Sequence, residues 1–497
     1  MQLPGRRAWL GVVALGAIAA TLVGAARADE SWDAVYIGGS KVGFTHLRVM
    51  SVTDKDRKLI NVQFEQEIDV NRSSDRLRMK LRYGTIETPE GEVLRLDTRV
   101  QAGRDELRTH GDVIDGKMDL KVSSGGREQR KVIDWPADIR GPYAAELSLA
   151  RSPIKVGETR QLKMFIPILN VVAKLDLVAK GVEDVELGGG VKRPLMKVES
   201  IVTMPDGKVD LEQSTTFWVD NAGQALKQYA SVFGGSYTYR TSKQAAMATD
   251  PGGRLDLIAL SVVKVTQKIP RSELTRNISY RLRFKGNDPA QFFPTDRRQE
   301  AKSAGDGTTA TLLVRTAGPQ DGQPEASPGD EFLRSNPMIN SEDPSVVRLA
   351  AKATASAGND PWAKAVAIQQ FVFKTMKSQN FRTAFAPAHE VARTLEGDCT
   401  EFGVLTAAMC RASGIPARVA VGLVYGDSLG GFGFHMWNEV YVNQRWVAID
   451  SIFNQSEVDA THLKLSDASL DGVSPYETFT SVAKVFGNLT IEPVEIR

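Results

Sequence analysis

From about Trp32 to Lys268 the chain alternates apolar and polar residues with a period of two. The alternation is plain in Asn61–Val70, in Leu77–Tyr83 and again in Asp210–Val219. Successive side chains on a strand point to opposite faces, so such a pattern builds antiparallel sheet with one wet face. Pro89-Glu90-Gly91, Gly188-Gly189-Gly190 and Pro205-Asp206-Gly207 punctuate the runs as turns. Residues 29–270 are therefore expected to form an antiparallel β-rich domain, a curved sheet or a sandwich. One short helix is expected to interrupt it from Pro142 to about Ala150. This region shows no cluster of reactive residues and reads as a scaffold or binding module.

Residues 271–330 read as a small β segment and a linker. Strands are expected near Ile278–Phe284 and Thr309–Val314, followed by the Pro- and Gly-rich stretch Gly318–Pro328. The period then changes. Ser341-Glu342-Asp343-Pro344 is a helix-start signal. Further helices are expected from Pro361, over Ala388–Leu395 and from Cys399. The period returns to two over Ala417–Val424, Trp437–Val442 and Trp446–Ile449. Helices followed by antiparallel strands make residues 331–497 an α+β domain.

With 497 residues, two or three domains are expected. Lys+Arg number 62 against 60 Asp+Glu, a net +2 that offers no electrostatic case for nucleic acid. Arg6 and Arg7 precede an uncharged apolar run from Ala8 to about Gly24, and Ala26-Arg27-Ala28 follows. Residues 1–28 read as a secretory signal peptide cleaved after Ala28, giving a periplasmic or secreted protein with no stable membrane insertion. An uncleaved anchor facing away from the cytoplasm is the alternative. The only cysteines, Cys399 and Cys410, fall on one expected helix. Eleven residues of helix separate them by about 16 Å, too far for a disulfide. An exported protein that keeps an unpaired thiol invites a catalytic explanation.

Gly397-Asp398-Cys399 places that thiol at a helix start, where unsatisfied N–H groups and the helix dipole favour the anion. Gly397 permits the tight turn into the helix. His435 is the candidate base, at a strand start after the flexible stretch Gly426–Gly433, in which Gly430–Gly433 reads as a mobile loop over the site. Asp450 closes the next strand after the turn Val442–Arg445. Adjacent antiparallel strands can bring an early residue of one beside a late residue of the next. A thiol, a base and an orienter for that base are what nucleophilic catalysis needs.

Four blocks carry a resemblance: Glu396–Phe402 (EGDCTEF), Arg411–Val419 (RASGIPARV), His435–Tyr441 (HMWNEVY) and Arg445–Asp450 (RWVAID). Together they resemble the core of the transglutaminase-like superfamily of papain-like thiol enzymes, over about Ser341–Phe453. The resemblance implies Cys399 as nucleophile, His435 as base and acid, and Asp450 as orienter. It implies acyl transfer on amide bonds through a thioester, on a protein or peptide substrate. Hydrolysis by a peptidase or amidase is favoured over transglutaminase cross-linking, and a non-catalytic binding protein that retains the fold is the rival. Gly403 and Met436 stand where the family usually carries Ala or another small residue, and Met436 is expected to narrow the site.

Trp437 and Trp446 are expected to pack under the site, Asp398 and Glu401 to cap the helix, and Arg418 to form a structural ion pair. His435 and Glu439 have a spacing seen in metal sites, but with no second His or Cys nearby no metal or other cofactor is expected. His46, His110, His389 and His462 have no partners legible in the sequence.

Overall fold

The computed structural model describes residues 30–497 except 55–56, 73–74, 103–104, 125–126, 142–144, 146–147, 150–151, 167–168, 188–189, 208, 232–234, 250–254, 256–261, 379–384 and 472–479. The expected signal peptide and most of the expected helix Pro142–Ala150 lie outside the described residues. Two compact units divide the chain, one ending at Leu257 and the other beginning at Ile258.

The first unit is a 15-stranded sheet running from Glu30–Ile37 to Ser236–Thr241, and those two strands pair with each other. All its pairings are antiparallel except that of the short strand Ile139–Arg140. The period-two runs are its strands: Arg57–Arg72, Asp75–Glu87 and Val209–Val219. Within Arg57–Arg72, Val62, Phe64, Ile68 and Val70 are buried. The other face carries cross-strand ion pairs such as Lys80–Glu67 and Arg82–Glu65, each worth well under about 1 kcal/mol at the surface.

One buried carboxyl stands out in this sheet. Glu87 is 1% exposed, accepts a hydrogen bond from Thr85 Oγ1 at 2.5 Å, and burial raises its pKa to about 7. The folded state thus keeps a proton that the unfolded chain releases above its ordinary carboxyl pKa. This contribution to stability is full in acid and is lost as the pH rises towards 7, in total about 3 kcal/mol. Glu87→Gln is expected to remove that loss. Native-state hydrogen exchange of Asp75–Glu87 at pH 5 and pH 8 measures it: the variant gains over the natural chain at pH 8 and not at pH 5.

The second unit holds two larger sheets, a two-stranded parallel pair formed by Lys377–Ser378 and Glu396–Gly397, and the helices. The strands of the two larger sheets are β1 (Val263–Lys264), β2 (Asn277–Phe284), β3 (Gln299–Ser303), β4 (Thr309–Arg315), β5 (Ala417–Gly426), β6 (Gly431–Val442), β7 (Arg445–Ile449), β8 (His462–Ala468) and β9 (Leu489–Ile496). The four-stranded sheet runs β3-β4-β2-β9, and the five-stranded sheet runs β1-β6-β5-β8 with β7 on β6. Thus the segment 271–330 contributes three strands to a sheet completed by β9. The stretch Gly318–Pro328 is fastened to β7. Glu325 N donates to Gln444 O at 2.8 Å, Trp446 N to Glu325 Oε2 at 2.8 Å, and Arg297 Nη1 to Trp446 O at 2.8 Å.

The helices that surround the site are α1 (Pro344–Thr354), α2 (Pro361–Thr375), α3 (Ala388–Thr394) and α4 (Cys399–Ala412), and a short helix, Thr480–Val485, precedes β9. Asp343, Asp360 and Asp398 cap α1, α2 and α4 with their carboxylates, and Pro follows the first two caps at the first helical position. All but the last residue of α4 are buried, because the helix lies between the other helices and β6. The expected mobile loop at Gly430–Gly433 is corrected in part. Gly431–Gly433 opens β6 and is buried, and a Cβ on Gly431 would stand 2.6 Å from Val263 O. Gly431 serves the close approach of β1, a contact distant in sequence.

Candidate active site

Cys399 is the first residue of α4. Asp398 accepts from Thr400 N at 2.9 Å, and Glu401 Oε2 accepts from Asp398 N at 3.0 Å, a reciprocal capping box. Glu401 Oε1 also accepts from Ala386 N at 2.9 Å. Burial, with Asp398 beside it, pushes the Glu401 carboxyl well above the usual carboxylate range. A Cβ on Gly397 would lie 2.3 Å from Glu401 Cβ, so glycine is required where the chain enters the helix. Cys399 is buried at 2% exposure. Cys410, on the same helix, has its thiol pushed up to about 12 by burial, which makes it inert.

α4 is tied to the strands that carry the other two expected residues. Asn438 Nδ2 of β6 donates to Gly403 O at 2.9 Å, and Thr406 Oγ1 meets Ser451 Oγ at 2.7 Å just after β7. A Cβ on Gly403 would come within 2.8 Å of Met436 Cε. The two departures from the family pattern therefore compensate each other: the missing methyl on the helix makes room for the longer side chain on the strand. Met436 fills that space.

His435 lies on β6 and Asp450 directly after β7. His435 Nε2 meets Asp450 Oδ2 at 2.5 Å, with both residues buried. The other carboxylate oxygen accepts from Ile452 N at 2.6 Å and Phe453 N at 3.1 Å. Burial disfavours the ionised form of Asp450, yet its imidazole partners hold its pKa well below the usual range. Burial holds His435 below its ordinary value, against the pull of Asp450. The pair is thus a neutral imidazole donating Nε2–H to a carboxylate, which leaves Nδ1 as the ring's acceptor nitrogen. Trp437 is buried beside this ring, and the Phe453 ring is 5.0 Å from it. Trp446 stacks instead under Arg418, whose guanidinium lies 4.2 Å from the ring centroid. Arg418 pairs with Glu439 and Asp467, at 2.7 and 2.9 Å.

A residue that sequence reasoning left without a partner joins the site. His462 of β8 places Nε2 at 3.2 Å from Asp450 Oδ2 and Nδ1 at 3.2 Å from Asp459 Oδ1. The expectation of no second histidine near His435 is corrected: pairing of β8 with β5 brings His462 there, whereas Glu439 is held by Lys464 and Arg418. The ligand atoms of His435, Asp450 and His462 lie within 4.8 Å of one another. Their closest pair, at 2.5 Å, has hydrogen-bond spacing, shorter than the about 3.3 Å between two ligands of one tetrahedral zinc ion.

Residues 347–451 match the Transglutaminase-like superfamily. The chain carries a transglutaminase-like core. Over 91 residues it is 32% identical to the Kyphoscoliosis peptidase of Mus musculus, covering 17% of this chain and 14% of that protein. A crystal structure provisionally assigned as a cysteine protease from Cytophaga hutchinsonii aligns over 44% of this chain and 86% of its own, at 18% identity and a TM-score of 0.28. A β-barrel-like protein of a domain of unknown function from Brucella abortus aligns over 43% of this chain and 95% of its own, at 12% identity and a TM-score of 0.33. The match to the transglutaminase-like core spans α1 to Ser451 and so takes in Cys399, His435 and Asp450, while His462 lies beyond it.

Proposed function

We propose that this protein is a cysteine peptidase or amidase acting through Cys399, His435 and Asp450. The observation that carries the reading is the buried 2.5 Å contact between His435 Nε2 and Asp450 Oδ2, on strands tied to the helix that Cys399 begins. The Cys399 thiol gives its proton to His435 Nδ1, the resulting thiolate attacks an amide carbonyl carbon, a C–S bond forms, and the carbonyl electrons move to oxygen. Backbone N–H groups at the start of α4 are suited to hold that oxyanion. As the intermediate collapses, the C–N bond breaks and His435 Nδ1 gives its proton to the departing amine. Water then attacks the thioester carbon while His435 Nδ1 takes its proton; the C–S bond breaks, the acid is released, and the proton on Nδ1 returns to sulfur to restore the thiol. Protein or peptide amides are the substrate class. The leader-like sequence of residues 1–28 supports export, and no helix among the described residues is long and apolar enough to cross a membrane.

Iodoacetamide labelling near pH 7, followed on the Cys399 peptide by mass spectrometry, tests the reading. Cys399 is expected to react faster than an ordinary thiol, and His435→Ala to slow it at least about tenfold. Ordinary reactivity in both proteins would overturn the enzyme reading and leave a binding protein. Incubation with a Gln-containing peptide and a labelled amine separates the two acyl-transfer outcomes: cleavage without amine incorporation supports hydrolysis, and incorporation makes the protein a transglutaminase.

A further inference from the structure

Asp450 Oδ2 serves two imidazoles, His435 at 2.5 Å and His462 at 3.2 Å. His462 is fully buried, and its other nitrogen faces Asp459. Asp459 is an acceptor throughout. Its Oδ1 takes Thr461 N at 2.8 Å and Thr461 Oγ1 at 2.6 Å, and its Oδ2 takes Gln455 Nε2 at 2.7 Å. Asp450 likewise accepts on both oxygens. Unlike Glu401, these two carboxyls are, despite burial, held below the usual range by their donors and so are ionised, and a ring nitrogen facing such an oxygen carries hydrogen. Both nitrogens of His462 are in that position.

We infer that His462 is a second positioning residue of the proposed catalytic site, an imidazolium clamped between Asp450 and Asp459 whose charge limits how readily His435 takes up a proton. The inference rests on the triad reading and deepens it. The charged and titratable groups around His462 are few. Asp450, Asp459 and His435 face it. Arg298 reaches Asp459 only through its backbone oxygen, and Tyr280 donates its hydroxyl to Ala460 O. Lys464, two residues along β8, is engaged by Glu439 and Asp296. The rings of Trp437 and Phe453 complete the enclosure, at 5.3 and 6.0 Å from that of His462. Consistent with this setting, burial works against the charge of His462 but Asp459 and Asp450 outweigh it and raise its pKa.

The consequence follows from Coulomb's law. A carboxylate shared with a permanent cation stabilises a second imidazolium less than an unshared one does. The ring centroids of His462 and His435 are 5.7 Å apart, so removing the charge raises the proton affinity of His435 by about one to two pH units. The imidazolium–thiolate pair then forms at lower pH.

Two measurements on the full chain test this. In the natural protein labelled with ¹⁵N-histidine, two-bond ¹⁵N–¹H spectra at pH 8 should show His462 protonated at both nitrogens, with the five histidines assigned by single substitutions. A neutral ring at that pH overturns the proposal without need of a folded variant. In His462→Gln, the rise of Cys399 alkylation with pH should move to more acid pH by about one to two units. An unmoved profile, with His435→Ala still slowing the reaction, overturns the role of His462 alone. A Cys399 indifferent to His435→Ala removes the triad and, with it, the role of His462.

Discussion

An Asp450→Ala variant should lose almost all turnover and about 3–5 kcal/mol of stability in the second unit. Both losses have one origin. Asp450 accepts four hydrogen bonds in a sealed position, two from imidazoles and two from the backbone of Ile452 and Phe453. Alanine leaves all four donors without that acceptor and removes the anion facing His462. Asp450→Asn separates the two effects. Its carbonyl can keep the backbone amides, but its amide group points N–H toward two ring nitrogens that also donate. His435 is then driven to the tautomer protonated at Nδ1, the wrong state for receiving a proton there. Turnover of a cleaved amide substrate is expected to fall by roughly 10³–10⁴-fold, with a smaller loss of stability than in the alanine variant. Steady-state rates and denaturant midpoints of the two variants check this. Equal activity in Asp450→Asn and the natural chain would refute the orienting role.

Gly422→Ala is expected to strip β8 from β5. A Cβ at Gly422 would stand 2.0 Å from the backbone oxygen of Leu463, and backbone has no rotamer with which to give way. Gly422 pairs with Lys464 next to a register shift, so the collision falls where the two strands are already irregular. β8 carries His462 to Asp450 and Lys464 to Glu439. Glu439, held at a pKa of about 2 by Lys464 and Arg418 against the cost of burial, would keep only one of its cations. A cost of about 3 kcal/mol or more is expected, read as faster hydrogen exchange across His462–Ala468. Unchanged protection of that strand would show that the pairing tolerates a methyl.

The catalytic candidates were legible because each sits in a short local motif. Asp398-Cys399 is a cap followed by a helix, and Asp450 ends a hairpin whose turn closes at Arg445, five residues earlier. The caps Asp343 and Asp360 mark helix starts for the same reason: their chemistry is complete within one turn. Alternation revealed the strands of the first unit, yet it holds no information on which strand lies beside which, so a single 15-stranded sheet was not legible. His462 was invisible because its partners come from β6, from the end of β7 and from its own turn, joined only by sheet pairing. Gly431 was misread for a like reason: the carbonyl that demands glycine there belongs to Val263. Gly403 and Met436 each look like an isolated departure until the helix is laid on the strand.

The fastening of Glu325 and Arg297 to β7 bears on how a polypeptide can be recognised. At Trp446 the outward N–H and C=O are taken by a carboxylate and a guanidinium of the chain itself, in place of a neighbouring strand. An incoming extended peptide therefore finds no vacant ladder at that position, and strand addition, the commonest way for a sheet margin to capture a ligand or a misfolded neighbour, is closed off there. On the proposed peptidase reading, choice of the bond to be cleaved then falls to side-chain fit near the helix entrance, and the same self-capping protects the margin against sticking to copies of itself.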